Sequence, residues 1–394
     1  MKDAAFSRIG IVGTGKMAVG IFYRLRDFNY FLVWISRSEE KKEELIKKFN
    51  RKIKRLRKSD TIDEETCSQR MSNTLISDDR NELRDCDLII EAIIEDREIK
   101  TRLFKELDSI VNKDCVFTTS TSSMKPAWLC PSETRKEKFA ALHFFYPVQF
   151  SNILEIMSHS EGSAETAERL KEFGKAIGCN PILLPDEGAF ILNKLTSHPH
   201  VRALKFYKEG ILTYKEIDEL MRENMFSKGA FEYADSVGFD TMIAATEVYM
   251  NDMDHTQYFP LAMATLQELA DKGDLGIKSG KGWYSYTAGV EDEPSLPVTK
   301  IGVEEREQYK ESVLQQLVCV YINMCYDAVS KSYLTEEEVE TAMNEYAGVE
   351  KGPGRLADEF GGLENVNMML LQYLKTTDDE VYRPCPFIEK KVSV

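Results

Sequence analysis

An imidazole and a carboxylate, His143 and Glu155, stand in one apolar run that opens His143-Phe-Phe-Tyr146-Pro147 and closes Ile153-Leu154-Glu155-Ile156-Met157. An alcohol releases hydride only when its hydroxyl proton also leaves, so a histidine base and a hydride-accepting cofactor together make alcohol–ketone interconversion. The flanking isoleucines, leucine and methionine predict a strand that buries Glu155, and a buried carboxylate needs a partner. The other histidines, His159, His198, His200 and His255, show no metal-ligand spacing with cysteines or carboxylates, so no metal site is expected. The stretch His198-Pro199-His200 reads as a loop.

The elements that would bring a cofactor to this pair lie upstream. The segment Arg8-Ile-Gly-Ile-Val-Gly13-Thr-Gly15-Lys16-Met17-Ala18 reads as a strand, a tight turn and a helix opening at the turn. Gly13 permits the turn, and Gly15 lets the backbone approach a pyrophosphate. Lys16 and Met17 open the helix whose N-terminus would receive the phosphates, and Ala18 is small enough for close helix–strand packing. Further strands are predicted over Tyr30 to Ile35 and Asp87 to Ala92. The second strand ends in Ser36-Arg37-Ser38, with Lys41 and Lys42 one turn on, where an acidic residue would select against a 2′-phosphate. Two hydroxyls and a guanidinium there favour NADP(H), with NAD(H) possible.

Composition bounds the rest. The chain has 394 residues, 43% hydrophobic and 30% charged, enough for full cores in two or three units. A net charge of −15 argues against general binding to nucleic acid or anionic membranes. Within that acidic chain, the helix from Lys47 to Lys58 carries eight basic residues and no acidic one. Lys54 and Lys58 are candidates for the phosphates of coenzyme A or the acidic face of an acyl carrier protein, a solvated helix face being the alternative. The polar stretch Ser59 to Ser77 reads as a helix–loop insertion. Eight cysteines without a CxxC pair, no signal peptide before the first strand and no run of bilayer length predict a soluble, cytoplasmic protein with reduced thiols.

By Glu91-Ala-Ile-Ile-Glu95-Asp, Thr119-Ser-Thr-Ser122-Ser123 and His143-Phe-Phe-Tyr146-Pro147, the chain resembles the 3-hydroxyacyl-CoA dehydrogenase family. Asp186-Glu-Gly-Ala-Phe-Ile-Leu-Asn193 and Gly276-Ile-Lys-Ser-Gly-Lys-Gly282-Trp-Tyr-Ser-Tyr286 extend the resemblance, which covers about Arg8 to Tyr286. It implies a Rossmann domain followed by a helical domain, with substrate in the cleft between them. The family's catalytic histidine falls on His143, its partner glutamate on Glu155, and its substrate-contacting serine and asparagine on Ser122 and Asn193. Glu95 falls at a cofactor-contacting position near the nicotinamide end. The chain departs from the family pattern at Tyr146 and Ser120, each in place of asparagine, and at Gly188-Ala189, in place of Pro-Gly. A phenol at 146 narrows the site, replaces an amide hydrogen bond or marks a changed substrate.

The second half repeats itself. Leu212-Thr213 opening Tyr-Lys-Glu-Ile recurs as Leu334-Thr335 opening Glu-Glu-Glu-Val, and Lys228-Gly229 with Ala234-Asp235 and Gly238 recurs as Lys351-Gly352 with Ala357-Asp358 and Gly361. The expected organisation is an α/β Rossmann domain over 1–185 and two tandem all-α helical domains, over 186–296 and, in degenerate form, 297–394, with a linker from Thr287 to Pro297. The second copy has no counterpart of Asn193 and reads as structural support. Family members with one such domain usually dimerise through it, so a fused copy points to a monomer or to an assembly through other surfaces. The expected activity is interconversion of a 3-hydroxyacyl and a 3-oxoacyl thioester with NADP(H), in a biosynthetic direction. A carrier-protein-bound or free hydroxy acid as substrate, or a cofactor-binding relative without turnover, are the alternatives.

Overall fold

The computed structural model describes residues 5–185, 190–210, 212–287, 302–347 and 351–393. The chain divides into two compact units, Met1–Ala189 and Phe190–Val394. The expected 296/297 boundary and most of the expected linker lie outside the described residues.

In the first unit the strands are β1 (Arg8–Val12), β2 (Phe31–Ile35), β3 (Thr74–Ser77), β4 (Leu88–Glu91), β5 (Val116–Thr119), β6 (Phe139–Phe144), β7 (Ile153–Ser158) and β8 (Asn180–Leu184). Between them run α1 (Lys16–Leu25), α2 (Glu39–Lys58), α3 (Glu64–Ser72), α4 (Arg97–Ile110), α5 (Pro126–Leu129) and α6 (Ala164–Ala176). They form one sheet of order β3-β2-β1-β4-β5-β6-β7-β8. All pairings are parallel except β6 with β7. Alternate residues of the near-continuous apolar strands feed two cores, because helices cover both faces. Ile9, Ile11, Trp34 and Ile90 meet Ala18, Ile21 and Phe22 of α1 on one face. Val33, Ile35, Ile89 and Phe117 meet Leu103, Phe104 and Leu107 of α4 on the other. The strand order reverses beside β1, which has β2 on one side and β4 on the other, and doubly wound sheets bind ligands at that switch.

The expected helix–loop insertion after α2 contains the helix, α3, but its end is the strand β3, which pairs parallel with β2 from Leu32↔Thr74 to Ile35↔Ser77. Four half-buried residues at a sheet edge are too few to display a period.

The second unit is helical: α7 (Ile191–Lys208), α8 (Tyr214–Asn224), α9 (Ala230–Val237), α10 (Phe239–Met250), α11 (Phe259–Ala270), α12 (Val303–Ser330), α13 (Glu336–Ala347), α14 (Pro353–Glu359), α15 (Gly362–Thr377) and α16 (Pro386–Val392). Thr213 and Glu216 exchange reciprocal side-chain-to-backbone bonds at the start of α8, and Thr335 and Glu338 do the same before α13. Asp218 of α8 accepts the N–H groups of Phe231 and Glu232 at the start of α9, and Glu340 of α13 accepts that of Gly354 at the start of α14. The repeated glycine serves this cap, since a Cβ on Gly229 or Gly352 would come within 2.2 Å of the capping carboxylate. The copies are tied together by Arg306 of α12 on Glu216, at 2.7 Å, and by buried Arg202 of α7 on buried Asp379, at 2.5 Å.

The expected loop at His198-Pro199-His200 lies inside α7. An interior proline removes one donor and crowds the preceding turn, at a cost of about 3 kcal/mol, and packing offsets it here. His198 meets the Phe259 ring edge-on, and His200 stacks on Tyr233 with ring centroids 4.7 Å apart. Burial holds both imidazoles neutral, lowering their pKa values from 6.5 to about 3 for His198 and about 4 for His200. Below about pH 6.5 the unfolded chain takes up protons that the folded chain refuses, so stability present above that pH is lost as pH falls toward 4. The slope is about 1.4 kcal/mol per pH unit for each histidine. Thermal melts between pH 7 and pH 5 are expected to show this fall, and His200→Phe to flatten it; an unchanged slope would count against His200.

Candidate active site

The turn between β1 and α1 is fixed by its neighbours. Gly13 has φ +133° and its N–H donates to the Ile35 carbonyl at 3.2 Å. The Trp34 indole donates to the Gly13 carbonyl at 2.7 Å, and a Cβ at Gly13 would lie 2.3 Å from the Ala92 carbonyl oxygen. At Gly15 the space is open, with nothing within 4 Å of where a Cβ would stand. Exposed Lys16 and half-buried Met17 begin α1, which has no side-chain cap. Room at Gly15 beside a helix N-terminus without a side-chain cap fits a dinucleotide pyrophosphate.

At the end of β2 the two serines serve the backbone. Ser36 Oγ donates to the Ser38 carbonyl at 2.9 Å, and Ser38 Oγ caps α2 by accepting the Lys41 N–H. Lys41 pairs with Glu44, and Lys42 with Asp78. Exposed Arg37 makes no hydrogen bond or ion pair among the described residues, so it is the group of this segment left to meet an anion. Farther along α2, Lys47, Lys48 and Arg57 pair with Glu43, Glu44 and Glu64, while Lys54 and Lys58 are exposed and have no ion pair among the described residues.

His143 and Glu155 face each other across the antiparallel β6–β7 ladder. His143 Nδ1 lies 2.7 Å from Glu155 Oε2, with the histidine 6% exposed and the glutamate fully buried. A carboxylate only accepts, so Nδ1 carries the hydrogen of this bond and Nε2 is the basic nitrogen. The ring beside the imidazole is Phe145, at a centroid distance of 4.4 Å, whereas Tyr146 is 65% exposed. The loop joining the two strands is clamped by Arg24 of α1, which donates to the carbonyls of Val148 at 2.8 Å and Ser151 at 2.5 Å and also reaches that of Gly178, before β8, at 3.0 Å. Sequence reading passed over Arg24; its signal was an arginine in the buried stripe between Ile21 and Leu25.

Glu95 and Ser122, predicted separately, come together. Glu95 accepts the Ser122 N–H at 3.1 Å, the Ser123 hydroxyl at 3.2 Å and the Thr121 hydroxyl, and so holds the turn after β5. Beneath it lies a buried pair that sequence reading missed, Lys100 Nζ on Glu91 at 2.7 Å, with Glu95 3.3 Å from the same ammonium. Thr119 and the Ile93 N–H also donate to Glu91. The signal was Lys100 heading the stripe of Leu103, Phe104 and Leu107, at the spacing of a buried helix face.

In the second unit, Asn193 stands in the first turn of α7. Its Nδ2 donates to the Tyr249 hydroxyl at 3.2 Å, and its Oδ1 accepts from Tyr346 of α13 at 3.0 Å. Tyr346 belongs to the second helical copy and was not singled out by sequence reading. Residues 186–189, which include Gly188-Ala189, lie outside the described residues.

None of the eight cysteines is in a disulfide, and burial pushes the Cys86 thiol up to about 12. Among the described residues no three metal-ligating side chains gather, and no helix is long and apolar enough to cross a membrane.

A doubly wound sheet with a dinucleotide turn at its switch point and a buried imidazole–carboxylate pair on the same sheet define a nicotinamide-dependent oxidoreductase. Residues 8–187 match the NAD-binding domain of 3-hydroxyacyl-CoA dehydrogenase, and residues 189–286 and 313–394 match that enzyme's C-terminal domain. The chain belongs to the 3-hydroxyacyl-CoA dehydrogenase family. It is similar to the mitochondrial hydroxyacyl-coenzyme A dehydrogenase of Homo sapiens, 29% identical over 295 residues that cover 72% of this chain and 93% of that protein. Its fold is similar to the crystal structure of (S)-3-hydroxybutyryl-CoA dehydrogenase from Ralstonia eutropha, with TM-score 0.64, 27% identity and coverage of 72% and 99%. The 3-hydroxybutyryl-CoA dehydrogenase structure from Escherichia coli shares the fold over 98% of both chains, with TM-score 0.83 at 21% identity.

Proposed function

We propose that this oxidoreductase interconverts a 3-hydroxyacyl and a 3-oxoacyl coenzyme A thioester, with NADP(H) preferred and His143 as the acid–base group. The buried His143–Glu155 pair at 2.7 Å carries the reading. A nicotinamide cofactor, when bound at the glycine turn, supplies or accepts the hydride. His143 Nε2 takes the hydroxyl proton during oxidation and returns it to the carbonyl oxygen during reduction. Glu155 fixes the imidazole tautomer and stabilises its cationic form. Ser122 and Asn193 polarise and orient the substrate carbonyl, and Glu95 supports the turn that carries Ser122. Exposed Lys54 and Lys58 are read as meeting the carrier's phosphates.

The test is oxidation of NADPH and of NADH by acetoacetyl-CoA. Turnover with NADPH preferred supports the reading; saturable cofactor binding without turnover on any thioester would replace it with a non-catalytic role. The NADP(H) preference rests on exposed Arg37 with no ion pair among the described residues. A charge-assisted contact contributes about 1.5–3 kcal/mol, so Arg37→Ala is expected to reduce the NADPH-over-NADH ratio of kcat/KM by roughly 10- to 100-fold. An unchanged ratio would assign Arg37 to solvent. We also read the absence of disulfides among the eight cysteines as fitting a reducing, cytosolic setting, the fused second copy as favouring a monomer, and 296/297 as the boundary between the copies.

A further inference from the structure

We propose that Tyr346, supplied by the second helical copy, is a positioning residue for the substrate, acting through the Asn193 amide. The proposal rests on the reading of Asn193 as a substrate contact. An amide side chain has two N–H donors and one accepting oxygen, and its terminal torsion alone does not decide which end faces a ligand. Here two phenols hold the amide plane. The Tyr346 hydroxyl donates to Oδ1 at 3.0 Å, and Tyr249 accepts from Nδ2 at 3.2 Å. Among the described residues only one N–H of Asn193 has an acceptor, which leaves the other for a carbonyl oxygen.

The Tyr346 proton is committed to Asn193, so the Tyr233 hydroxyl, 3.3 Å away, is the donor of their contact. Tyr233 is itself held flat against the buried His200 ring. The result is a chain of donors running Tyr233 to Tyr346 to Asn193, each bond polarising the next. Burial pushes both phenols above the usual tyrosine range, so they stay protonated donors. The tyrosine is not required by the repeat itself: Thr335 matches Thr213, which places Tyr346 opposite Asn224 in the first copy. The second copy therefore carries a group aimed at the substrate amide that its own helical pattern does not call for.

The experiment is a double-mutant cycle in the full-length chain, with Tyr346→Phe, Asn193→Ala and the two combined. Acetoacetyl-CoA reduction gives kcat and KM, and titration gives the NADPH dissociation constant. Tyr346→Phe is expected to lower kcat/KM about 5- to 20-fold. The loss should fall mainly in kcat, because the Asn193 bond strengthens as charge builds on the carbonyl oxygen. NADPH affinity should stay as in wild type, the melting temperature should fall by only a few degrees as the Tyr233 and Thr196 hydroxyls lose a buried acceptor, and the double variant should have a kcat/KM no lower than Asn193→Ala alone. Losses that multiply in the double variant, a Tyr346→Phe enzyme as active as wild type beside a defective Asn193→Ala, or a loss tracking a melting temperature lowered by more than those few degrees would each overturn the proposal. An Asn193→Ala enzyme with unchanged kcat/KM would instead remove the reading of Asn193 on which it rests.

Discussion

His143→Gln lowers kcat for thioester reduction by about 10²-fold or more, with NADPH affinity unchanged. A positioned acid–base group typically contributes 10²–10⁴-fold, and glutamine keeps a donor toward Glu155 while removing the group that exchanges the proton. Alanine at 143 is a poorer probe. It would leave the fully buried Glu155 carboxylate without its imidazole, a break that costs about 3–5 kcal/mol in a buried ionic pair and mixes unfolding with lost chemistry. Glu155→Gln is expected to lose a comparable factor in rate, since an amide can present N–H to Nδ1 and stabilise the wrong tautomer. Steady-state rates alongside circular dichroism separate these effects. A His143→Gln enzyme within a factor of three of wild type would end the assignment of His143 as the acid–base group.

The second large effect is on stability. Lys100 and Glu91 are both fully buried, and the ammonium also reaches Glu95 at 3.3 Å. Lys100→Met fits the space but strands the Glu91 carboxylate, at a cost of about 3–5 kcal/mol, or a melting temperature lower by roughly 10 °C. The double variant Lys100→Met/Glu91→Gln is expected to recover part of that loss, because a neutral amide oxygen still accepts from the Ile93 N–H, while the Thr119 hydroxyl can turn to accept from the amide nitrogen. NADPH affinity should weaken in the single variant, since Glu95 holds the Ser122 turn while paired with the same ammonium. A Lys100→Met protein that melts with wild type would show that the pair contributes nothing net.

The cofactor half was legible because its signals are local: an apolar strand that runs into a glycine turn and a helix, and a glutamate between isoleucines and leucine that had to find a partner. The matching caps of α8 and α13 were legible because Leu-Thr and Lys-Gly pairs recur in the sequence. Local rules failed where distant packing decided the outcome. Pro199 reads as a helix breaker, yet rings of Phe259 and Tyr233 hold the helix through it. Arg24, Lys100 and Tyr346 meet partners that one chain read in order does not place beside them. Their only trace was polarity in a buried stripe, and for Tyr346 not even that.

The arrival of Tyr346 on the same polypeptide as Asn193 has a consequence in mass action. A hydrogen bond completed by a separate molecule is lost on dilution once its concentration falls below the dissociation constant. A tethered group acts at a fixed effective concentration, of millimolar order for short flexible connections. The amide of Asn193 thus keeps its orientation however dilute the protein becomes.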